Sequence, residues 1–183
     1  MTFIDTKING LFIIEPVVYK DERGYFFENF RVDLFEQKSQ GTKFVQENES
    51  FSNYGVLRGL HYQLPPFAQS KLVRVVAGKV LDVALDIRKY SSTFGQHFSI
   101  ELSGENKKQV FIPQGFAHGY VVLSEMAILQ YKVDNYYSKE FERGILYNDP
   151  NIKINWHLEH ENILISGKDK LNKLLVEADC FIK

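Results

Sequence analysis

Lys71 to Arg88 reads KLVRVVAGKVLDVALDIR. In its second half Leu81, Val83, Leu85 and Ile87 fall on one parity, and Asp82, Ala84, Asp86 and Arg88 on the other. A period of two belongs to a β-strand, whose side chains point alternately to opposite faces. The valine-rich first half reads as a second strand. Ala77-Gly78-Lys79 between them reads as a short turn, so the stretch is expected to be a β-hairpin.

Short strands continue in both directions. KKQVFIP is a strand stopped by Pro113, and GYVVLSEMAILQYKVDNYY is two strands joined near Ser124-Glu125. Upstream, YFFENFR and KFVQENESFS are further strands, with a short helix, RVDLFEQKS, between them. Near the C-terminus KDKLNKLLVEA spaces Leu171, Leu174 and Leu175 as a helix does. Fifteen Phe and ten Tyr favour strands as well. Many short strands with helices only at the flanks predict a mainly β protein, a sandwich or small barrel. A barrel interior suits a ligand pocket, because inward side chains alternate with outward ones.

No low-complexity linker or fixed-period repeat divides the 183 residues, so one domain spanning 1–183 is expected. A formal net charge of -1, from 22 basic and 23 acidic residues, gives no global drive toward nucleic acid or an anionic membrane. Any bound anion must be held by a few placed cations. The single cysteine, Cys180, excludes an intramolecular disulfide, and nothing beside it suggests an activated thiol. MTFIDTKINGLFIIEP has neither the charged start of a signal peptide nor the length of a membrane span, so a cytoplasmic protein is expected.

Within VLRGLHYQ, Val56 to Gln63, an arginine and a histidine sit in apolar and aromatic company. His61 and His118 each lie beside glycine and aromatic residues, whereas His157 and His160 belong to a polar stretch and His97 has no partner nearby in sequence. A hydrogen-bonded core imidazole is the commoner reading of such a histidine; a proton carrier is the other. PQGFAHG, Pro113 to Gly119, looks like the second half of a metal-binding cupin signature. The first half needs a His-x-His pair, and His61 is followed by Tyr62 and Gln63. A transition-metal site needs three or more converging ligands, so no metal is expected although the barrel is.

Arg23, Arg58, Lys71 and Arg74 lie in or beside strands and are candidates for an anion cradle. Gln46, Asn48 and Ser50 share parity and can line one face of their strand. Forked guanidiniums and planar amides suit phosphate oxygens; exposed surface charge is the alternative, stronger for Arg74 than for Arg58. Tyr131 and Tyr137 share parity with Ala127, Leu129 and Val133, which on a continuous strand turns both rings inward. Each is then core filler with a satisfied hydroxyl or a proton donor.

RGYFFE, FVQENESFS, GVLRGLHYQLPPFAQSKLVRVVAGKVLDVALDIR, SSTFG, LSGENKKQVFIPQGFAHGY, YKVDNYY and NDPNIKINW occur in this order. Together they resemble the dTDP-4-dehydrorhamnose 3,5-epimerase family, from about Phe3 to Asp169. The resemblance implies a cupin-like jelly roll with short flanking helices and a homodimer exchanging part of its sheet. It also implies an enzyme without metal or cofactor. The implied reaction converts dTDP-4-dehydro-6-deoxy-D-glucose into dTDP-4-dehydro-L-rhamnose.

By position, His61 matches the family's general base and Asp169 its orienting carboxylate. Tyr131 matches the general acid, and Lys71 the cation beside the C4 oxygen. Arg23, Glu28, Gln46, Asn48 and Arg58 match contacts to the nucleotide, with Glu47 contributing through its backbone. His118, Glu142 and Lys168 match further substrate contacts, and Tyr137 the aromatic that stacks on thymine. Two departures are local. Trp156 is followed by His157 where the family has proline, and a glycine precedes Lys168-Asp169, which bears on where Asp169 sits. Members that invert C3 or C5 alone look alike at these positions, and a non-catalytic sugar-binding cupin would keep the pocket without needing base or acid.

One tension is internal to the strand. Arg58 and His61 have opposite parity, so a regular strand sends them to opposite faces. Reaching one ligand requires a bulge at Gly59, an end to the strand there, or an Arg58 that serves another subunit.

Overall fold

The computed structural model describes residues 1–182. β1 (Thr2–Asp5), β2 (Phe12–Glu15), β10 (Gln109–Ile112), β7 (Lys71–Ala77), β12 (Met126–Val133) and β5 (Gln46–Asn53) form one sheet in the order β1-β2-β10-β7-β12-β5. The second sheet runs β13 (Glu142–Gly144), β6 (Val56–Gln63), β11 (Phe116–Val122), β8 (Lys79–Asp86) and β9 (His97–Ser103). The short β14 (Leu164–Ile165) adds parallel to β6. β3 (Val18–Asp21) and β4 (Gly24–Phe27) make a separate two-stranded hairpin.

The period-two reading of Leu81 to Arg88 holds, and the structure adds that both faces of β8 are covered. Leu81, Val83, Leu85 and Ile87 pack with Leu57, Leu60, Ile145 and Trp156 beneath the C-terminal segment. Val80 and Ala84 face the other way, into the space between the sheets, with Val73, Val75, Val110 and Leu129. A third cluster lies around α1 (Val32–Lys38), where Phe35 packs on Phe12 and Phe111. The face of β8 that carries Asp82 is therefore the barrel interior. Two facing antiparallel sheets, with strands that pass from one to the other, make the expected cupin-like jelly roll.

The expected hairpin is corrected. β7 pairs with β10 and β12, whereas β8 pairs with β9 and β11, so Ala77-Gly78-Lys79 is a corner between sheets. Gly78 has φ +74, and a Cβ there would lie 1.9 Å from the Met126 carbonyl oxygen, so only glycine fits. Ser124 ties this corner to the one between β11 and β12, its Oγ accepting from the Lys79 amide at 2.7 Å. Alternation identifies a strand but does not say which neighbour it pairs with.

The expected C-terminal helix is also corrected. Asp169–Leu171 and Leu175–Glu177 are single 3-10 turns, separated by extended residues, and Leu171 is exposed. The segment gives its backbone groups to the loop that follows β13 instead. The Leu146 amide donates to the Lys173 carbonyl (2.8 Å), and the Leu175 amide to Asp149 Oδ2 (2.7 Å). These tertiary partners outweigh a modest helix propensity. The segment lies over the second sheet and brings Asp169 to the barrel mouth.

Candidate active site

The bulge required at Gly59 is present. His118 of β11 is the register partner of His61, but Tyr120 is the partner of Arg58, so three steps on β6 face two on β11. The extra residue restores a common face to Arg58 and His61, while Leu57 and Leu60 pack together on the other. Gly59 has φ +133, and a Cβ on it would lie 2.5 Å from Gly119 Cα. Two glycines thus let the strands approach where the two histidines face each other.

A cavity of about 650 Å3 opens between the sheets, lined among others by Ser50, Arg58, His61, Lys71, His118 and Tyr131. An adjoining compartment of about 350 Å3 is lined by Gln46, Asn48, Gln69, Tyr137 and Glu142. His61, Lys71 and Tyr131 line both compartments, which makes these three the waist of one cleft.

His61 Nε2 donates to Asp169 Oδ1 at 2.6 Å. This leaves Nδ1 of a neutral ring as the lone-pair nitrogen. Burial works against the Asp169 carboxyl, yet hydrogen bonding to His61 and Ser166 holds it below its ordinary range. The Ser166 hydroxyl also accepts from the Asp169 amide at 3.0 Å, so a local turn fixes the carboxylate despite the unexpected glycine before Lys168. Lys71 Nζ sits 5.9 Å from the centre of the Tyr131 ring. Burial pushes the Lys71 amine down to about 8, with Asp82 and then Glu142 opposing the shift. Burial raises the Tyr131 phenol.

At the mouth of the smaller compartment Glu142 Oε2 accepts from Tyr137 Oη (2.9 Å) and Lys168 Nζ (2.6 Å). Gln46 and Asn48 point inward and bond to each other at 2.8 Å. Glu47, of opposite parity, turns outward to Lys132 at 2.9 Å. Arg58 lies at the rim, its Nε donating to Ser52 Oγ at 3.1 Å.

Three expectations change. Strand β12 ends at Val133, so Tyr137 belongs to a loop and is 56% exposed instead of facing the interior. The four-cation cradle is not assembled: Arg74 lies over the Phe27 ring at 5.6 Å, away from the cavity. Arg23 and Glu28 line neither compartment; both are exposed at or beside the β3–β4 hairpin, where Arg23 pairs with Asp21. Sequence reasoning passed over Asp82, Tyr120 and Ser166. Asp82 and Tyr120 are cross-strand partners on β8 and β11, and Tyr120 Oη lies 2.9 Å from Ser50 Oγ. The signal for Asp82 was a carboxylate within the strand pattern of Leu81 to Arg88, and only the packing shows that its parity faces the interior.

Among the described residues no group of three or more His, Cys, Asp or Glu is arranged to hold a metal ion. None of their helices is long and apolar enough to cross a membrane.

The chain is similar over its whole length to a curated dTDP-4-dehydrorhamnose 3,5-epimerase of Shigella flexneri, with 52% identity covering 100% of both proteins. It superimposes with a TM-score of 0.94 on the crystal structure of a dTDP-6-deoxy-D-glucose-3,5-epimerase from Legionella pneumophila in complex with dTDP-4-keto-L-rhamnose. That structure is 48% identical, with 100% of this chain and 98% of the other covered. A 3'-monoepimerase from Streptomyces bikiniensis in complex with dTDP-quinovose is more distant, at 31% identity and a TM-score of 0.88, covering 94% of this chain and 87% of that one. The family model described as dTDP-4-dehydrorhamnose 3,5-epimerase matches residues 5–177. The motif order, the cleft and these matches agree, and the chain belongs to the dTDP-4-dehydrorhamnose 3,5-epimerase family.

Proposed function

We infer that this protein is an isomerase that inverts C3 and C5 of dTDP-4-dehydro-6-deoxy-D-glucose, giving dTDP-4-dehydro-L-rhamnose in dTDP-rhamnose biosynthesis. The observation that carries the site assignment is the His61–Asp169 couple at 2.6 Å, placed at a waist shared with Lys71 and Tyr131.

The C4 ketone acidifies the C–H bonds at C3 and C5. His61 takes a proton through Nδ1, because Nε2 is committed to Asp169, and the C–H electron pair becomes the enolate. Asp169 orients the ring and stabilises the imidazolium, as the carboxylate of a catalytic triad does. Negative charge collects on the C4 oxygen, where the Lys71 ammonium meets it; charge placed in advance of the transition state is commonly a large catalytic contribution. Tyr131 then donates its phenolic proton to the opposite face of the carbon. A phenol raised by burial keeps its proton until a carbanion is there to receive it. Solvent reprotonates the tyrosine and deprotonates the histidine, and the second carbon follows by the same exchange. The net reaction is an inversion with no change in oxidation state, and no cofactor enters these steps.

The nucleotide is assigned to the inward amides of Gln46 and Asn48, with Arg58 at the rim for phosphate and the exposed Tyr137 ring for thymine. Glu142, Lys168 and His118 complete the substrate contacts. Arg23 and Glu28 serve the site from a second protomer in a homodimer that exchanges strands. Their distance from the protomer's own cleft supports this, as do the exposed Tyr19, Tyr25 and Phe26 on the same hairpin. A cytoplasmic location is our reading of the lone cysteine, and a lack of nucleic-acid or membrane partners our reading of the balanced charge.

Turnover of the 4-keto substrate in deuterated water tests the assignment, with NMR counting label at each carbon. Label at both C3 and C5, in a product of L-rhamno configuration, is expected. Label at C3 alone overturns the double inversion, and binding of dTDP without any exchange overturns the enzyme.

A further inference from the structure

His61 and His118 are register partners, and each is backed by a carboxylate from a different element. Asp169 reaches His61 from the C-terminal segment; Asp82 of β8 reaches His118, with Oδ2 2.8 Å from Nε2. The first couple opens to the cleft. The second is the more deeply buried: Asp82 is 1% exposed and His118, which borders the cleft, 7%. A carboxylate buried this deeply is costly unless hydrogen-bonded or paired with a cation. Asp86, four residues on along the same face of the strand, shows what full compensation looks like, with Arg88, Ser91 and Thr93 all donating to it. Among the described residues Asp82 has one side-chain donor, His118. Burial keeps that imidazole below its ordinary value, so it is not a fixed positive charge at neutral pH.

The cation that feels Asp82 is Lys71, across the barrel on β7. Lys71 lines the cleft with His61 of β6, His118 of β11, Tyr131 of β12, Asp169 of the C-terminal segment and, in the smaller compartment, Glu142 of β13; Asp82 of β8 lies behind His118, to which it is bonded. Asp82 and Glu142 are the two that oppose loss of its proton, Asp82 the more strongly. Asp169 is committed to His61, and Glu142 is already held by Lys168 and Tyr137. Asp82 is thus the buried negative charge left to balance Lys71.

We propose that Asp82 is a positioning residue of this site, holding Lys71 as an ammonium from beneath the substrate while it anchors the His118 ring. The inference rests on the reading of Lys71 as the cation at the C4 oxygen. It accounts for a carboxylate buried on the interior face of β8, beside the otherwise apolar Val80 and Ala84 of the same face.

Asp82→Asn keeps the shape and an oxygen acceptor for His118 and removes the charge. The expected result is an alkaline limb in the pH profile of kcat that moves about one unit lower than in the unaltered enzyme. The ratio of variant to unaltered kcat then falls about a further tenfold above the limb, relative to its value at neutral pH. Asp82→Ser, which is smaller and still polar, is expected to move the limb in the same direction and covers a failure of the asparagine variant to fold. A purely structural role lowers kcat by one factor at every pH and leaves the limb in place. Lys71→Met separates the two readings. If it abolishes exchange and the limb of both Asp82 variants is unmoved, the Asp82 inference is overturned alone. If it still exchanges protons at the normal rate, the reading of Lys71 falls, and the inference with it.

Discussion

A hydrogen bond to one nitrogen of an imidazole decides what the other can do. With Nε2 of His61 given to Asp169, a neutral ring presents a lone pair at Nδ1. Asp169→Asn keeps the contact but can bond the ring in the wrong tautomer. We expect kcat to fall by about 10²- to 10⁴-fold with KM little changed, as measured by solvent-deuterium exchange. His61→Ala should abolish exchange while dTDP still binds in calorimetry. Tyr131→Phe should lower kcat far more than affinity, since a proton donor acts in the transition state; equal losses in both would assign the ring to packing. Lys71 makes a pH prediction of definite sign. Its amine is depressed from 10.5 to about 8, so it is charged below that value, and kcat should decline as pH rises through it. Between those two values the folded protein binds fewer protons than the unfolded chain, so the contribution of Lys71 to stability improves as pH rises through that window and is least favourable below it. Lys71→Met should therefore stabilise the fold at neutral pH, by about 1–2 kcal/mol in a denaturant titration, while exchange is lost. His61, Lys71, Tyr131 and Asp169 were legible through the family resemblance, whose motifs stand in the same order along this chain. Asp82 was not, because nothing in a period-two pattern says which face of a strand lines a cavity.

Strands were legible where one parity is apolar, and less so where local pattern meets tertiary demand. The corner at Ala77-Gly78-Lys79 read as a hairpin turn in sequence, since a residue such as Gly78 suits either a turn or a change of sheet. The C-terminal leucines read as a helix face, yet Asp149 and Leu146 take the backbone bonds that a helix would have used. The bulge at Gly59 was legible as a conflict, since two residues of opposite parity had to share one site. Its resolution needs the close approach of β6 and β11, and this gives the position little tolerance. In Gly59→Ala the new methyl would sit 2.5 Å from Gly119 Cα in a backbone conformation with φ +133. We expect a loss of about 2–4 kcal/mol of stability by chemical denaturation. Exchange should also be lost in the fraction that remains folded, because the bulge sets the register of Arg58 against His61. Unaltered exchange in a folded Gly59→Ala protein would show that Arg58 and His61 do not depend on this bulge for a common face.

One chain holds the proposed base, acid and cation and the inward amides, but not the whole set of nucleotide contacts expected from sequence. Arg23 and Glu28 stand at a hairpin that joins neither sheet, and the hairpin leaves Phe26 71% exposed. The eight-residue β5 is an open edge of its sheet, with exposed Phe51 upon it; such an edge is stable in a monomer only when something covers it. The proposed twofold assembly would answer both features by placing the hairpin of each protomer over the other's cleft. Light scattering should then give twice the 21.3 kDa mass of the chain. Replacing Arg23 and Glu28 together by alanine should raise KM with little change in kcat, since neither touches the reacting carbons. Complementation separates this arrangement from a purely structural dimer. Let a His61→Ala chain be mixed with a chain carrying the Arg23 and Glu28 replacements, under conditions of subunit exchange and at substrate too dilute to saturate the latter. If the hairpin serves the partner, each mixed dimer has one site with an intact His61 and an intact hairpin, and activity should recover to about a quarter of the unaltered value. If each hairpin serves its own protomer, every site in the mixture lacks one part or the other, and no recovery will be seen.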